Sequence, residues 1–145
     1  MSSAQEVAAK WLDAFNAHDE ARIRELSGEN AVVEAPGDVR VEGREPSTQY
    51  AMAWLNAFPD ARITVNNELV ADDWVVQEFT FEGTHEGTLA SPSGEIPATG
   101  RTLRGRGVQI LRVEGDAVTE TRLYYDQVQV MTQLGLMPEP AAAQA

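Results

Sequence analysis

Residues 103–126 of this chain read LRGRGVQILRVEGDAVTETRLYYD. The segments Leu103 to Val113 and Ala117 to Tyr125 are rich in β-branched and aromatic residues, which favour β-strands. The residues Glu114-Gly115-Asp116 between them have the composition of a hairpin turn. The stretch therefore predicts two long antiparallel strands, and the other elements can be placed relative to this hairpin.

Further strands precede this hairpin. Ile63 to Ala71 and Trp74 to Glu82 have the same composition and are separated by a pair of aspartates, which predicts a second hairpin. Ala31 to Ala35 is typical of a short strand. Between the two hairpins, residues 89–100 contain two prolines and two glycines. This composition predicts a loop of unusual length, and such loops often cover a binding site.

Helical periodicity occupies the N-terminal part of the chain. From Ala4 to Ala17, apolar residues recur at three- and four-residue steps, which predicts a helix with one buried face. A second, short helix from Glu20 to Leu26 is expected to stop at Ser27-Gly28, where glycine can adopt a left-handed cap conformation. Pro46 suits the first turn of a third helix, which we expect to end before Pro59.

The order of these elements predicts the fold class. Helices first and antiparallel strands second indicate an α+β fold, in which the helices pack against one face of a curled sheet. Such a sheet forms a cone whose mouth can hold a ligand. Val128 to Leu136 adds a last short helix or turn. We expect residues 1–137 to form a single domain of this kind and residues 138–145 to form a loose tail.

Composition excludes several classes of function. The chain of 145 residues has 23 acidic and 11 basic residues, a formal net charge of -12, which disfavours nucleic acid and anionic membrane surfaces as partners. It has no cysteine and only two histidines, so thiolate chemistry is excluded and no metal site is predicted. Residues 1–15 lack the features of a signal peptide, and no apolar run is long enough to span a membrane, which predicts a cytoplasmic location.

Asp126 is the leading candidate for catalysis. It follows two tyrosines at the point where a predicted strand ends and an apolar segment begins. Burial of a carboxyl group at such a junction would suit it to general acid or base work at ordinary pH. The alternative is a helix cap, since aspartate accepts hydrogen bonds from the free N–H groups at a helix start. Strand alternation predicts that Tyr124 and Asp126 face the same way, opposite to Leu123 and Tyr125.

Two further polar residues are candidates for the site. His85 follows a strand and precedes the 89–100 loop, where its ring could bind a substrate carbonyl or shuttle a proton. The alternative is that the ring tethers the loop to a backbone carbonyl. Gln109 lies on a strand whose neighbouring residues Val108 and Ile110 face the other way, so its amide lies either beside a cavity or in solvent.

Aromatic residues at helical spacing form a third set of candidates. Such a stripe belongs to the core by default, but in an open cone several of its members would line a pocket suited to a flat, apolar ligand. The candidates for substrate binding are Trp11, Phe15, Tyr50 and Trp54, together with Gln109 and Tyr124.

Several stretches of the sequence resemble one known family. They are Trp11 to Asp19, Phe58-Pro59-Asp60, Gly83-Thr84-His85-Glu86-Gly87, Pro97-Ala98-Thr99-Gly100-Arg101, and Tyr125-Asp126 followed by Gln133-Leu134-Gly135. Over nearly its whole length the chain resembles the SnoaL-like polyketide cyclases. These belong to the nuclear-transport-factor-two-like superfamily of cone-shaped, cystatin-like α+β barrels. The first stretch is common to the superfamily, and the last three are more specific.

The resemblance implies a function for Asp126. In characterised cyclases of this group, an aspartate at this place is the acid/base of an intramolecular aldol ring closure that needs no cofactor. Gln109, Tyr124 or His85 would then donate a hydrogen bond to the developing enolate. The implied ligand is a small apolar or aromatic carbonyl compound. We expect the protein to form a homodimer through the open face of its sheet.

Particular residues disfavour other activities of the superfamily. Ketosteroid isomerases carry their base where this chain has Ala35, and their oxyanion-hole tyrosine and protonated aspartate fall at Trp11 and near Gln109. Epoxide hydrolases of the limonene type use an Asp-Arg-Asp triad, and no convincing second aspartate accompanies Asp126. A non-catalytic binding or assembly domain is the main alternative, since a fold does not by itself define a function.

Overall fold

The computed structural model of the protein describes residues 3–91 and 94–138. The expected tail, residues 138–145, lies outside these residues apart from Pro138. The helices are α1 (Ser3–Asn16), α2 (Glu20–Leu26), α3 (Arg44–Ala57) and α4 (Gln127–Gln133). The strands are β1 (Ser27–Ala35), β2 (Val39–Glu42), β3 (Arg62–Ala71), β4 (Trp74–Thr84), β5 (Leu89–Ser91), β6 (Gly94–Ile96), β7 (Thr102–Glu114) and β8 (Ala117–Tyr125).

Six strands form one mixed sheet in the order β2-β1-β8-β7-β4-β3. Strand β1 pairs with β8 in parallel, and all other neighbours in this sheet pair antiparallel. The ladders contain register shifts, for example between Val65 and Asn67 of β3 and between Arg112 and Val113 of β7. Such bulges bend a strand and increase its twist. The sheet curls around α1 and α3, which forms the α+β cone that the element order predicts.

The predicted strands are confirmed at the centre of the sheet. Strands β3, β4, β7 and β8 match their predicted ranges to within two residues at each end. These strands are long, and their side chains alternate between an inner and an outer face: in β4, Val75, Gln77 and Phe79 are buried whereas Glu78 is exposed. A long strand with one buried face leaves a strong period-two pattern in the sequence.

The junction between α2 and β1 differs from the prediction. Gly28 has no left-handed conformation, because Ser27 ends the helix in extended conformation (φ −94°, ψ 133°) and the chain enters β1 at once. The Ser27 N–H donates to the Arg24 carbonyl, and its hydroxyl donates to the Ile23 carbonyl at 2.8 Å. Glycine is needed for close approach instead, since a Cβ at Gly28 would lie 3.2 Å from Cγ2 of Thr119 on β8.

The sequence prediction also misses three short strands. Strand β2 follows β1 through a turn at Gly37 and Asp38, both of which have positive φ (87° and 57°). Strands β5 and β6 pair with each other inside the 89–100 stretch, so the prediction of one long loop there is wrong. Strands of three or four residues carry little pattern of their own, and they form because a partner supplies hydrogen bonds.

Buried side chains fill the inner face of the sheet in two clusters. The larger one surrounds Phe58 and joins all four helices to the sheet. The smaller one lies under the N-terminal half of α1, where Ala8 is buried with Val75 and Leu111. Trp11 packs against both clusters, and the candidate site lies within the larger one.

A glycine in β7 tests this packing directly. A Cβ at Gly107 would lie 2.7 Å from Cζ of Phe79 and 2.9 Å from the carbonyl oxygen of Tyr124, so Gly107→Ala forces buried strands apart. We expect a loss of about 1–3 kcal/mol in the free energy of unfolding, measured by urea denaturation. Gly105→Ala on the same strand is the matched control, because its Cβ would be 3.6 Å from the nearest described atom. Equal losses in the two variants would contradict this packing.

Candidate functional site

A cavity opens between the inner face of the sheet and helices α1, α3 and α4. Its volume is about 100 Å³, and its wall is mostly apolar. Pockets for drug-sized molecules usually measure about 300–1,000 Å³. The cavity therefore accepts a small ring in its present shape, and its wall must move for a larger ligand. Seven aromatic side chains line it: Trp11, Phe15, Tyr50, Trp54, Phe79, Phe81 and Tyr125.

Trp54 on α3 is the centre of the aromatic wall. Its indole meets the rings of Phe81 and Tyr125 edge-on, with centroids 5.6 and 5.5 Å apart. It also stacks on Phe58 at 6.1 Å. Aromatic pairs are favourable in these geometries. The aromatic stripe that the sequence predicts for α3 therefore turns inward and contacts the sheet beside the cavity.

The four aromatic candidates from the sequence, Trp11, Phe15, Tyr50 and Trp54, all lie on the cavity wall. Trp11 and Phe15 stack on one another with ring centroids 5.4 Å apart and supply the part of the wall that belongs to α1. Their contact with a substrate stays a prediction.

Two phenol groups face this apolar space. Burial raises the pKa of Tyr50 and the pKa of Tyr125 above the usual range of tyrosine. Hydrogen bonds from the Trp54 indole to Tyr50 and from Gln127 to Tyr125 oppose this rise only in part. Both hydroxyl groups therefore keep their protons at neutral pH and can donate to an acceptor on a bound molecule.

Asp126 lies at the mouth of the cavity, immediately after β8. It is exposed, and its Oδ1 caps α4 by accepting hydrogen bonds from the N–H groups of Val128 at 2.9 Å and Gln129 at 3.2 Å. The helix-cap interpretation is thus confirmed, and the expected burial of this carboxylate is wrong. No described residue donates a hydrogen bond to Oδ2. One oxygen therefore holds the helix, and the other is available to a ligand.

Helix α4 is held at the cavity mouth by the side-chain amide of Gln133, which bonds to the backbone of β7 as a neighbouring strand would. Oε1 of Gln133 accepts a hydrogen bond from the Arg104 N–H at 2.7 Å, and Nε2 of Gln133 donates to the Arg104 carbonyl at 2.9 Å. These bonds continue the β7 ladder beyond the end of β8. With Asp126 at its start and Gln133 at its end, α4 places Gln129 and Val130 on the cavity wall.

His85 is fully buried and is not on the cavity wall. Its ring stacks on Phe58 with centroids 5.2 Å apart, and its Nδ1 accepts a hydrogen bond from the Thr99 N–H at 3.2 Å. Burial lowers the pKa of His85, so the ring is neutral. The ring holds the segment that precedes β7 to the end of β4, as the tether interpretation predicts, but the backbone partner of its Nδ1 is the Thr99 N–H and not a carbonyl. A catalytic role of His85 in this cavity has no geometric support.

Three of the stretches that carry the family resemblance meet around His85. The Asp60 carboxylate accepts hydrogen bonds from the Thr84 N–H at 2.7 Å and the Thr84 hydroxyl at 2.9 Å. The Gly87 N–H donates to the carbonyl of Ala57, the last residue of α3, at 3.0 Å. These motifs therefore build a structural junction outside the cavity, between α3, β4 and the chain that leads into β7.

Gln109 and Tyr124 lie on opposite faces of the sheet. Gln109 is 3% exposed and lines the cavity, which excludes the solvent alternative. Tyr124 is 55% exposed and is not on the cavity wall, where Leu123 and Tyr125 lie instead. The prediction that Tyr124 and Asp126 share one face is wrong because β8 ends at Tyr125. Asp126 caps α4 and no longer follows the two-residue period of the strand. Sequence reasoning missed Leu123 and Tyr125 as cavity residues, although alternation within β8 already places them on the face opposite to Tyr124.

The charged groups of the cavity are few. On the wall formed by the described residues, Asp126 is the only carboxylate and Arg106 the only basic side chain. An Asp-Arg-Asp triad therefore lacks its second aspartate there. In the described part of the chain, no three His, Cys, Asp or Glu side chains are grouped as a metal site would require. None of its helices is both long and apolar enough to cross a membrane.

The fold is that of a nuclear-transport-factor-two-like α+β cone, and it contains an apolar cavity. A protein from Jannaschia sp. CCS1, described as a SnoaL-like polyketide cyclase, has a TM-score of 0.82 at 22% identity, over 94% of each chain. IdmH from Streptomyces antibioticus, described as a polyketide cyclase, has a TM-score of 0.74 at 26% identity, over 91% of this chain and 98% of its own. An epoxide hydrolase of the LEH-like type from M. tuberculosis has a TM-score of 0.71 at 15% identity, over 91% and 89%.

The family model described as SnoaL-like polyketide cyclase matches residues 5–134. The chain therefore belongs to the SnoaL-like polyketide cyclase family, as the sequence motifs predict. A comparison with curated protein sequences gives no match. Because an epoxide hydrolase shares the fold, the reaction has to be argued from the residues of the cavity.

The buried imidazole of His85 makes stability depend on pH. Its pKa in the folded state lies below the unfolded value of about 6.5, so the unfolded chain binds a proton first as the pH falls. We expect the free energy of unfolding to decrease as the pH falls from about 6.5 toward the folded-state pKa, and His85→Gln to lose this part of the decrease. Urea denaturation at several pH values measures it. A wild-type profile in His85→Gln would show that the ring is solvated.

Proposed function

We propose that the protein is a cofactor-free acid/base enzyme of the polyketide-cyclase type, which closes a ring by an intramolecular aldol reaction. The supporting observation is the position of Asp126. It is the one carboxylate on the described wall of an apolar, aromatic cavity, with one oxygen engaged by α4 and the other available. The substrate is a small apolar or aromatic compound with two carbonyl groups.

The reaction needs a single carboxylate. Oδ2 of Asp126 removes a proton from the carbon alpha to one carbonyl, and the electron pair moves onto the carbonyl oxygen as an enolate. The alpha carbon then attacks the second carbonyl, which forms the new carbon–carbon bond and an alkoxide. The protonated Asp126 returns its proton to the alkoxide, so the carboxylate is restored.

The developing enolate oxygen needs a hydrogen-bond donor. Of the three donors expected from the sequence, Tyr124 lies on the outer face, His85 lies outside the cavity wall, and Gln109 gives one of its two Nε2 N–H groups to a neighbouring glutamine. We assign this role to Tyr50 and Tyr125, which line the cavity and whose hydroxyl groups keep their protons at neutral pH.

A non-catalytic ligand carrier is the second candidate, and one observation favours it. Asp126 is exposed, and its capping of α4 is by itself a sufficient reason for an aspartate at this position. In this alternative the aromatic wall binds the same class of molecule, and the carboxylate serves only the helix.

We also propose that two copies of the chain pair through the outer face of the sheet. Tyr124 is exposed there, and Val108 and Ile110 of β7 are only half-buried on the same face. Apolar side chains of this kind on one sheet face suit a contact between copies. A cytoplasmic location stays a prediction of the sequence.

Deuterium exchange at the alpha carbon of 1-tetralone, a small aryl ketone, measures the base directly. We expect the wild-type protein to accelerate this exchange. Asp126→Asn should lower the accelerated rate by about 10²- to 10⁴-fold, because an amide cannot accept the proton. Asparagine caps a helix about as well as aspartate, so the fold and the binding of 1-tetralone should be kept.

Asp19→Asn is the matched control for this substitution. Asp19 caps α2 through the Arg22 N–H in the same way and is not on the cavity wall, so its exchange rate should equal that of the wild type. An unchanged rate in Asp126→Asn would contradict the enzyme proposal. Binding of 1-tetralone without any acceleration by the wild type would favour the carrier.

A further inference from the structure

Three polar side chains lie side by side across neighbouring strands and end at the cavity. Glu68 on β3 is the register partner of Gln77 on β4, and Gln77 is the register partner of Gln109 on β7. Gln77 and Gln109 are almost fully buried, with exposures of 1% and 3%. Of these three residues, only Gln109 lines the cavity. We call this row the amide relay.

The carboxylate of Glu68 sets the direction of every hydrogen bond in the amide relay. A carboxylate only accepts, so Gln77 must turn its Nε2 toward Oε2 of Glu68, which lies 2.9 Å away. The Oε1 of Gln77 then faces Gln109 and accepts from its Nε2 at 2.7 Å. The second carboxylate oxygen of Glu68 accepts from Nε2 of Gln5 on α1 at 2.9 Å, which holds the carboxylate in place.

The end of the relay is an acceptor without a donor. Because Nε2 of Gln109 is held by Gln77, its Oε1 is turned to the other side of the amide group. No described residue donates a hydrogen bond to this oxygen. An amide oxygen on a cavity wall accepts a hydrogen bond from water or from a ligand, so a ligand donor placed there can replace that water. The sequence predicts Gln109 only as a donor to an enolate. One of its two Nε2 N–H groups is held by Gln77, and its Oε1 adds an acceptor to the site.

We propose that the cavity selects ligands that present a hydroxyl or N–H donor to Oε1 of Gln109, such as a phenol or an enol. Gln109 contacts the ligand, whereas Glu68 and Gln77 are positioning residues that act through it. This inference rests on the proposed function only in that the same cavity receives the ligand. It adds a requirement for the substrate: besides the carbonyl groups near Asp126, it carries a donor group at the Gln109 end.

Two probes that differ in this one group test the inference. 2-Naphthol carries a donor hydroxyl, and in 2-methoxynaphthalene a methyl ether replaces it on the same ring system. We expect the wild-type protein to bind 2-naphthol about three- to tenfold more tightly, as one hydrogen bond to a buried acceptor provides. Quenching of tryptophan fluorescence measures both dissociation constants, because Trp11 and Trp54 line the cavity.

The substitution Glu68→Gln tests whether Glu68 orients the amides of Gln77 and Gln109, separately from any general effect on the fold. An amide at position 68 can donate as well as accept, so Gln77 and Gln109 lose their fixed direction. The preference for 2-naphthol should fall toward one, while 2-methoxynaphthalene binds at least as tightly as before. The matched control is Glu78→Gln on β4, an exposed carboxylate that bonds to Asn67 and takes no part in the relay. It should keep the wild-type preference.

Each other outcome overturns the inference. Equal binding of the two probes by the wild type would contradict the acceptor at Gln109 and leave the cavity intact as a binding site. An unchanged preference in Glu68→Gln would show that the relay does not set the direction of Gln109. Binding of neither probe would overturn the inference together with the proposed small-molecule site. Loss of deuterium exchange in Asp126→Asn is a separate result and does not depend on these outcomes.

Discussion

The contact between Trp54 and the sheet is the interaction on which the candidate site depends. From α3, the indole reaches Phe81 on β4 and Tyr125 on β8, and it stacks on Phe58, which in turn stacks on His85. These rings connect the helix to two strands and to the junction behind the cavity. Because large rigid rings meet edge-on here, they surround a space instead of filling it. The cavity is therefore a consequence of how the aromatic core packs.

Within an apolar wall, a few polar groups decide which chemistry is available. Asp126 shows that a helix cap and a catalytic base are compatible, since the cap uses one carboxylate oxygen and leaves the other. Tyr50 and Tyr125 are protonated at neutral pH like any tyrosine, and their partial burial raises the pKa of both further. The hydrogen bonds of Gln77 and Gln109 run in one direction because the carboxylate of Glu68, two strands away from Gln109, accepts and never donates. The specificity that we propose for the site thus depends on a residue outside the cavity wall.

The sequence predicts those elements of the structure in which one hydrophobic period extends over many residues. The central strands and the aromatic stripe around Trp54 are recognisable because many residues repeat one pattern. Short strands are missed because their formation depends on a partner. The sequence analysis selects Tyr124 for the cavity wall, and Tyr125 lies there instead, because strand alternation cannot be continued into a helix cap. The direction of Gln109 is not predictable from the sequence, since it requires the register that brings Glu68 and its neighbour into line.

The claim that this cavity is the site of an acid/base reaction is tested most directly by a crystal structure of the protein saturated with 1-tetralone. We expect the ketone to lie in the cavity against Trp54 and Tyr125, with its alpha carbon about 3–3.5 Å from Oδ2 of Asp126. Oδ1 should still cap α4. A ketone bound only at the protein surface, or one in the cavity with its alpha carbon turned away from Asp126, would contradict an acid/base reaction in this cavity.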